Sequence, residues 1–302
     1  MLGCGVEMAG EGFGQNSVER LRMLKSSVRA LLLETRLRAV AAPVHRATTT
    51  LELALVRLHD SLRAEPERLS IANSKRITAI VKTFERPAEL RRLLASLRKF
   101  FPCLPVIVAD DSRHPIWLKG VRTIALPFDS GVSAGRQAAL SAVDTEYTWI
   151  LDDDFVLYRS TRLARCMATL DANPSVDILG GPVIDLPLGI KRDSVASAIY
   201  PTAAAPVAPL GSMVGGLPVR DKVPNFFIAR TDRLRLVGWD QALKRLDHAD
   251  FFTRARGVLL TVYDDEFRCL HAQAPFDAAY MKARNDLVSD AALLRARYGL
   301  RD

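Results

Sequence analysis

From residue 77 the chain alternates short apolar runs with amphipathic stretches, and few folds accommodate that succession. Residues 77–82 read as a strand and 83–86 as a turn. Pro87 then stands at a helix start, where its missing N–H costs nothing. Through residues 87–100, Leu90, Leu93, Leu94 and Leu97 share one side and Arg91, Arg92, Arg98 and Lys99 the other, which is helical spacing. Residues 106–109 form a second buried strand, closed by Asp110, Asp111 and Ser112, and residues 121–126 a third. Gly131-Val132-Ser133-Ala134-Gly135-Arg136 opens a helix that runs to about Val143. Tyr147-Thr148-Trp149-Ile150-Leu151 then reads as a strand buried on both faces. This order predicts an α/β fold with a Rossmann-like, mainly parallel sheet flanked by helices, its ligand site beyond the C-terminal strand ends.

The last of those strands stops in Asp152, Asp153 and Asp154. Adjacent carboxylates repel one another unless paired. A hard divalent cation, Mg²⁺ or Mn²⁺, relieves that repulsion; a solvated acidic turn is the plain alternative. Three polar clusters (residues 83–86, 110–112 and 152–154) follow buried strands and would converge on one rim.

A chain of 302 residues suits one large domain or two modest ones. The net charge of +8 suits an anionic partner, but much of it lies before residue 100, which argues against a basic groove over the whole protein. No nucleic-acid partner is expected. Cys4, Cys103, Cys166 and Cys269 show no paired spacing, which predicts reduced thiols rather than a disulfide frame or zinc site. No signal core or spanning helix is read, and the expected location is cytoplasmic, with peripheral contact at the inner face of the membrane kept open.

Residues 1–16 are expected to be disordered and 17–70 helical. Leu21, Leu24, Val28, Leu31 and Leu32 recur at helical spacing, and a second segment over 49–63 carries Leu51, Leu55, Leu58 and Leu62. A basic hairpin on an anionic membrane is one reading; packing on the catalytic domain or in a homodimer is the other, and the commoner for globular helices. Glu65-Pro66-Glu67 and Asn73-Ser74-Lys75 mark a linker, residues 76–275 the main domain, and 276–302 a helical tail. Residues 194–219, uncharged but broken by Pro201, Pro206, Pro209 and Pro218, read as a loop and a candidate lid.

Several runs together resemble the GT-A glycosyltransferases of family 2 type, and the β-1,4-N-acetylgalactosaminyltransferases of the ganglioside-synthase type more closely than the general family. They are Val81-Lys82-Thr83-Phe84, Val108-Ala109-Asp110-Asp111-Ser112, Ser133-Ala134-Gly135-Arg136, Asp152-Asp153-Asp154-Phe155 and Leu179-Gly180-Gly181, followed by residues 225–232 (NFFIARTD) and His248-Ala249-Asp250-Phe251-Phe252. The resemblance implies Mn²⁺ or Mg²⁺ on Asp152, Asp154 and His271, although an ordinary partly buried His271 is equally open. It implies a UDP-sugar contacted by Thr83, Arg86, Asp110, Asp111, Arg136, Asp152, Asp153, Asn225 and His248. For Asp110 and Asp111, a turn-capping role is the alternative. Gln137 departs from the Asn common in relatives after the arginine. The implied catalytic base is Asp250, with Asp247 as competitor, and Trp239 is a sugar platform or a core residue. The implied function is metal-dependent inverting transfer of a sugar, such as GalNAc or GlcNAc, to a carbohydrate or glycoconjugate acceptor. A catalytically inactive scaffold is the rival; a sugar nucleotidyltransferase stands further back, since residues 81–84 lack the glycine-rich triphosphate loop.

Overall fold

The computed structural model describes residues 37–62, 69–194 and 199–300. The expected disorder over 1–16 and the helical reading of 17–36 lie outside the described residues. The chain divides into two compact units, Met1–Thr50 and Leu51–Asp302. The described part of the first is the N-terminal half of helix α1 (Arg38–Ser61). That helix starts well before the expected residue 49. Ala39, Ala41 and Ala42 favour helix, and Pro43 forfeits only one amide close to the helix start.

The second unit is built on a seven-stranded sheet. In chain order its strands are β1 (Ile77–Thr83), β2 (Val106–Asp110), β3 (Arg122–Ala125), β4 (Tyr147–Asp152), β5 (Ile178–Gly180), β6 (Phe227–Arg230) and β7 (Thr261–Tyr263). Across the sheet the order is β7-β5-β6-β4-β1-β2-β3, parallel except for β6, which runs against both its neighbours. The register decides where chemistry can happen. Thr83 pairs with Asp110, and Lys82 with Asp152, so β1, β2 and β4 end level with one another.

Helices α2 (Pro87–Phe100) and α3 (Val132–Ser141) cover opposite faces. The leucines of α2 join Trp149, Phe226 and Phe267 in one core. Leu140 of α3 joins Phe227, Trp239, Phe251 and Phe252 in the other. Trp239 stacks on Phe251 at 5.0 Å and 16°, so its ring is a core residue rather than a sugar platform.

A smaller four-stranded sheet orders Phe155–Val156, Cys269–Ala272, Val183–Leu186 and Ile190–Arg192. Leu53 of α1 is buried with Val156, Leu186, Leu270 and Ala272 of this sheet. The candidate lid carries a short hairpin, Met213–Val214 with Leu217–Pro218. Cys103 and Cys269 are free thiols.

Candidate active site

Because β1, β2 and β4 stop at one level, Thr83, the Asp110–Asp111 pair and the acid triplet share a rim. Each triplet carboxylate there has a counter-charge. The Arg136 guanidinium donates to Asp152 at 2.5 Å and to Asp247 at 2.6 Å. Asp153 accepts from Thr83 Oγ1 at 2.7 Å and is also bound by Arg86. Asp154 accepts from Arg86 at 2.8 Å through Oδ2, while Oδ1 lies 3.2 Å from His271 Nε2.

His271 reaches this point because its strand pairs it with Phe155 on one side and Asp185 on the other. Asp185 Oδ1 holds the Nδ1 side at 2.8 Å, which aims Nε2 at Asp154. Burial works against charge on His271, but Asp154 and Asp185 outweigh it and push its pKa up to about 10. Burial likewise acts to raise Asp154; the His271 and Arg86 charges prevail and hold it far below the usual carboxylate range. Asp153 moves the other way, up to about 6, because burial and its acidic neighbours exceed the pull of Arg86.

Among the described residues, no group of three His, Cys, Asp or Glu side chains stands in metal-holding array. The donor chemistry nevertheless fits a divalent cation. Asp154 Oδ1 and His271 Nε2 converge at 3.2 Å; the carboxylate suits Mn²⁺ or Mg²⁺, and the imidazole adds a softer ligand. The third expected ligand, Asp152, faces Arg136 instead, with a third of its side chain exposed.

Two expected nucleotide contacts are engaged within the protein. Asp110 accepts the amides of Ser112 and Ile116, both at 2.9 Å, which is the turn-capping role. Asp111 pairs with Lys82 Nζ at 2.6 Å and accepts the Gly131 amide at 2.8 Å. The glycines of the 131–136 run serve packing. Gly131 has φ +97°, and a Cβ there would lie 2.6 Å from the Lys244 Cα; at Gly135 it would lie 2.4 Å from the Lys82 Cγ. Gln137 accepts the Trp239 amide at 2.8 Å, so it supports the core turn rather than the rim.

The expected base, Asp250, sits in a cluster of arginine and tyrosine side chains. It is fully buried and accepts from Arg254 at 2.8 Å, Arg297 at 2.6 Å and the Tyr298 hydroxyl at 2.8 Å. Arg254 engages Oδ2 while Arg297 and Tyr298 engage Oδ1, so these three donors compete with any acceptor hydroxyl for the carboxylate. Asp247, which opens helix α4 (Asp247–Ala255), is joined to the triplet through Arg136. Burial, exceeding the effect of Arg136, raises its pKa. His248 bonds the Val223 carbonyl at 2.8 Å, a contact that puts the proton on Nε2. Burial, followed by the Lys222 and Arg136 charges, lowers it to about 3, so it stays neutral. Asn225 is half-buried just before β6.

Four participants were not anticipated. Lys82 and Asp185 are charges inside otherwise apolar strands, a signal visible in the sequence. Arg297 and Tyr280 come from the tail, outside the family-like stretch. The Tyr280 ring, on helix α5 (Ala278–Arg284), lies 3.9 Å from the Arg86 guanidinium carbon.

The fold is one that solved glycosyltransferase-type structures share, and sequence comparison points the same way. Residues 78–192 match the family described as Glycosyl transferase family 2. The chain's relatives include human β-1,4 N-acetylgalactosaminyltransferase 1, 37% identical over 198 residues, which span 61% of this chain and 36% of that protein. Mouse β-1,4 N-acetylgalactosaminyltransferase 2 is 35% identical over 190 residues, covering 61% of this chain and 37% of that protein. The chain thus matches little more than a third of the length of these curated relatives. Among solved structures, S. aureus TarS 1-349 shares the fold with a TM-score of 0.51 and 19% identity, over 65% of this chain and 60% of that one.

Proposed function

We propose that this chain is a metal-assisted, inverting glycosyltransferase that moves a sugar, first an N-acetylhexosamine, from a UDP donor to a carbohydrate or glycoconjugate hydroxyl. The observation that carries the reading is the level ending of β1, β2 and β4, which gathers Thr83, Arg86, Arg136 and the acid triplet beside His271. The donor class is supported by the named activity of the relatives, N-acetylgalactosaminyl transfer. It is supported too by TarS having been solved with UDP-GlcNAc, at a TM-score of 0.50.

Asp154 and His271 would hold the cation, with Asp152 joining once it leaves Arg136. Bound there, the ion supplies a Lewis acid for the charge that grows on the departing diphosphate. Arg86 and Arg136 already face these carboxylates, and guanidinium groups bind phosphate oxygens in paired fashion. Asp247 takes the proton of the attacking hydroxyl: burial gives its carboxylate more basicity than an exposed one, against the opposing pull of Arg136. Neutral His248 offers Nδ1 as a hydrogen-bond acceptor to the same substrate hydroxyls.

Calorimetric titration with UDP, with and without Mn²⁺, tests the reading in wild type and Asp154→Asn. Binding that requires Mn²⁺ and is lost in the variant is expected. Binding indifferent to both would leave a nucleotide-binding scaffold. Donor hydrolysis across a panel of sugar nucleotides then identifies the sugar.

A further inference from the structure

Helix α1 presents two apolar faces, and among the described residues only one is covered. Leu53 is 7% exposed and packs on the small sheet with half-buried Val56, while Asp60 on the same side accepts the Arg159 amide at 3.0 Å. Leu51, Leu55, Leu58 and Leu62 are 60%, 55%, 57% and 78% exposed. At about 100° per residue these four leucines fall within roughly 60° of arc, on the side opposite Leu53. Their spacing of four, three and four residues is a coiled-coil seam rather than the broad face of a helix lying on a core. Leu188, 79% exposed, borders the seam, because its amide donates to Glu52 Oε1 at 2.8 Å.

We propose that this seam docks a second copy of the same chain, with α1 pairing antiparallel to its equivalent across a two-fold axis. The charges select this occupant. An anionic membrane surface calls for a wide apolar face bordered by Lys and Arg. Between Leu51 and Leu62 the helix carries Glu52, Arg57, His59 and Asp60, with more acid than fixed base. Glu52 and His59 border the seam on the same flank. In an antiparallel pair, Leu51 of one copy lies opposite Leu62 of the other and Leu55 opposite Leu58, which brings Glu52 of each copy toward His59 of the other. A parallel pair brings the same flank against Ala54 and Ser61, where no charge answers Glu52. The inference is independent of the proposed activity.

Sedimentation equilibrium of the full chain across the micromolar range tests the pairing. A dimer is expected for wild type and a monomer for Leu55→Glu/Leu58→Glu, whose exposed positions leave the melting curve unchanged. Glu52→Lys should weaken dimerisation at least tenfold, and Glu52→Lys/His59→Glu should restore it, an outcome that mere loss of apolar surface cannot give. A monomeric wild type, or a Leu55→Glu/Leu58→Glu variant that remains dimeric, overturns the proposal. So does a monomer that floats with phosphatidylserine vesicles and loses that ability in the same variant, which would assign the seam to a membrane.

Discussion

His271 Nε2 and Asp154 Oδ1 meet at 3.2 Å, 117 residues apart in sequence (271 minus 154), held by the pairing of His271 with Phe155 across two strands. In the metal-free protein this contact is a buried ion pair. Its pH dependence follows from the direction of the two shifts. His271 rises from 6.5 to about 10 on folding, so its contribution is complete below pH 6.5 and disappears as pH climbs through 10. Asp154 is depressed, so its contribution persists at all pH values above its ordinary 3.8. Melting temperature in EDTA should therefore fall between pH 6.5 and 10, and His271→Gln should flatten that fall. Mn²⁺ should reverse the trend, because the ion competes with the same proton and binds better as pH rises.

Asp185 holds the far side of that imidazole at 2.8 Å and is itself paired with Arg192. A residue that orients a metal-binding histidine typically changes metal affinity about 10- to 100-fold when altered. Asp185→Asn should weaken Mn²⁺ binding by that order in a direct titration, while UDP affinity at saturating Mn²⁺ stays close to wild type.

Asp247 and Asp250 lie within one turn of α4, both buried but with different arginine partners, which makes their amide variants diagnostic. Asp247→Asn should lower the transfer rate by about 10²- to 10⁴-fold, as loss of a general base does, with little change in UDP affinity. Asp250→Asn should act on stability: it weakens contacts to Arg254, Arg297 and Tyr298, at a cost of about 2 kcal/mol read by urea unfolding. Activity that survives Asp247→Asn but is lost in a well-folded Asp250→Asn would restore Asp250 as the base.

That pair also marks how far the sequence could be read. The sheet was legible, because residues 77–83 form a nearly continuous buried run, residues 87–100 carry an unbroken period-3.6 pattern, and Pro87 fixes a helix start. The rim was legible as well, since strand ends in a parallel sheet must lie on one side. Partners of buried charges were not. Whether Asp110 faces a ligand or its own turn depends on the 111–116 loop closing back on it, and no spacing encodes that. The partners of Asp250 were hidden because Arg297 and Tyr298 arrive from a tail nearly fifty residues on. Asp185 and Lys82 were visible as charges in apolar strands, but their targets are set by register across two sheets.

The two glycines that open α3 differ in what they exclude, and their alanine variants should rank accordingly. At Gly135 a methyl meets the Lys82 side chain at 2.4 Å, and that chain can shift at the expense of its contact with Asp111. Overpacking of this kind costs about 1–3 kcal/mol. At Gly131 the obstacle is backbone, the Lys244 Cα at 2.6 Å, and φ is +97°, which disfavours any Cβ. Neither feature can relax without moving the 244–246 segment, whose amides are fixed by Asp290. Gly131→Ala should therefore be the more destabilising in urea unfolding. It should also loosen the Asp111 contact to the Gly131 amide, and with it the start of the helix that aims Arg136 at Asp152 and Asp247. Gly135→Ala, in contrast, should keep Arg136 in place and lose UDP affinity only through the displaced Lys82. Equal destabilisation by the two variants would mean that the Lys82–Asp111 pair is as rigid as main chain.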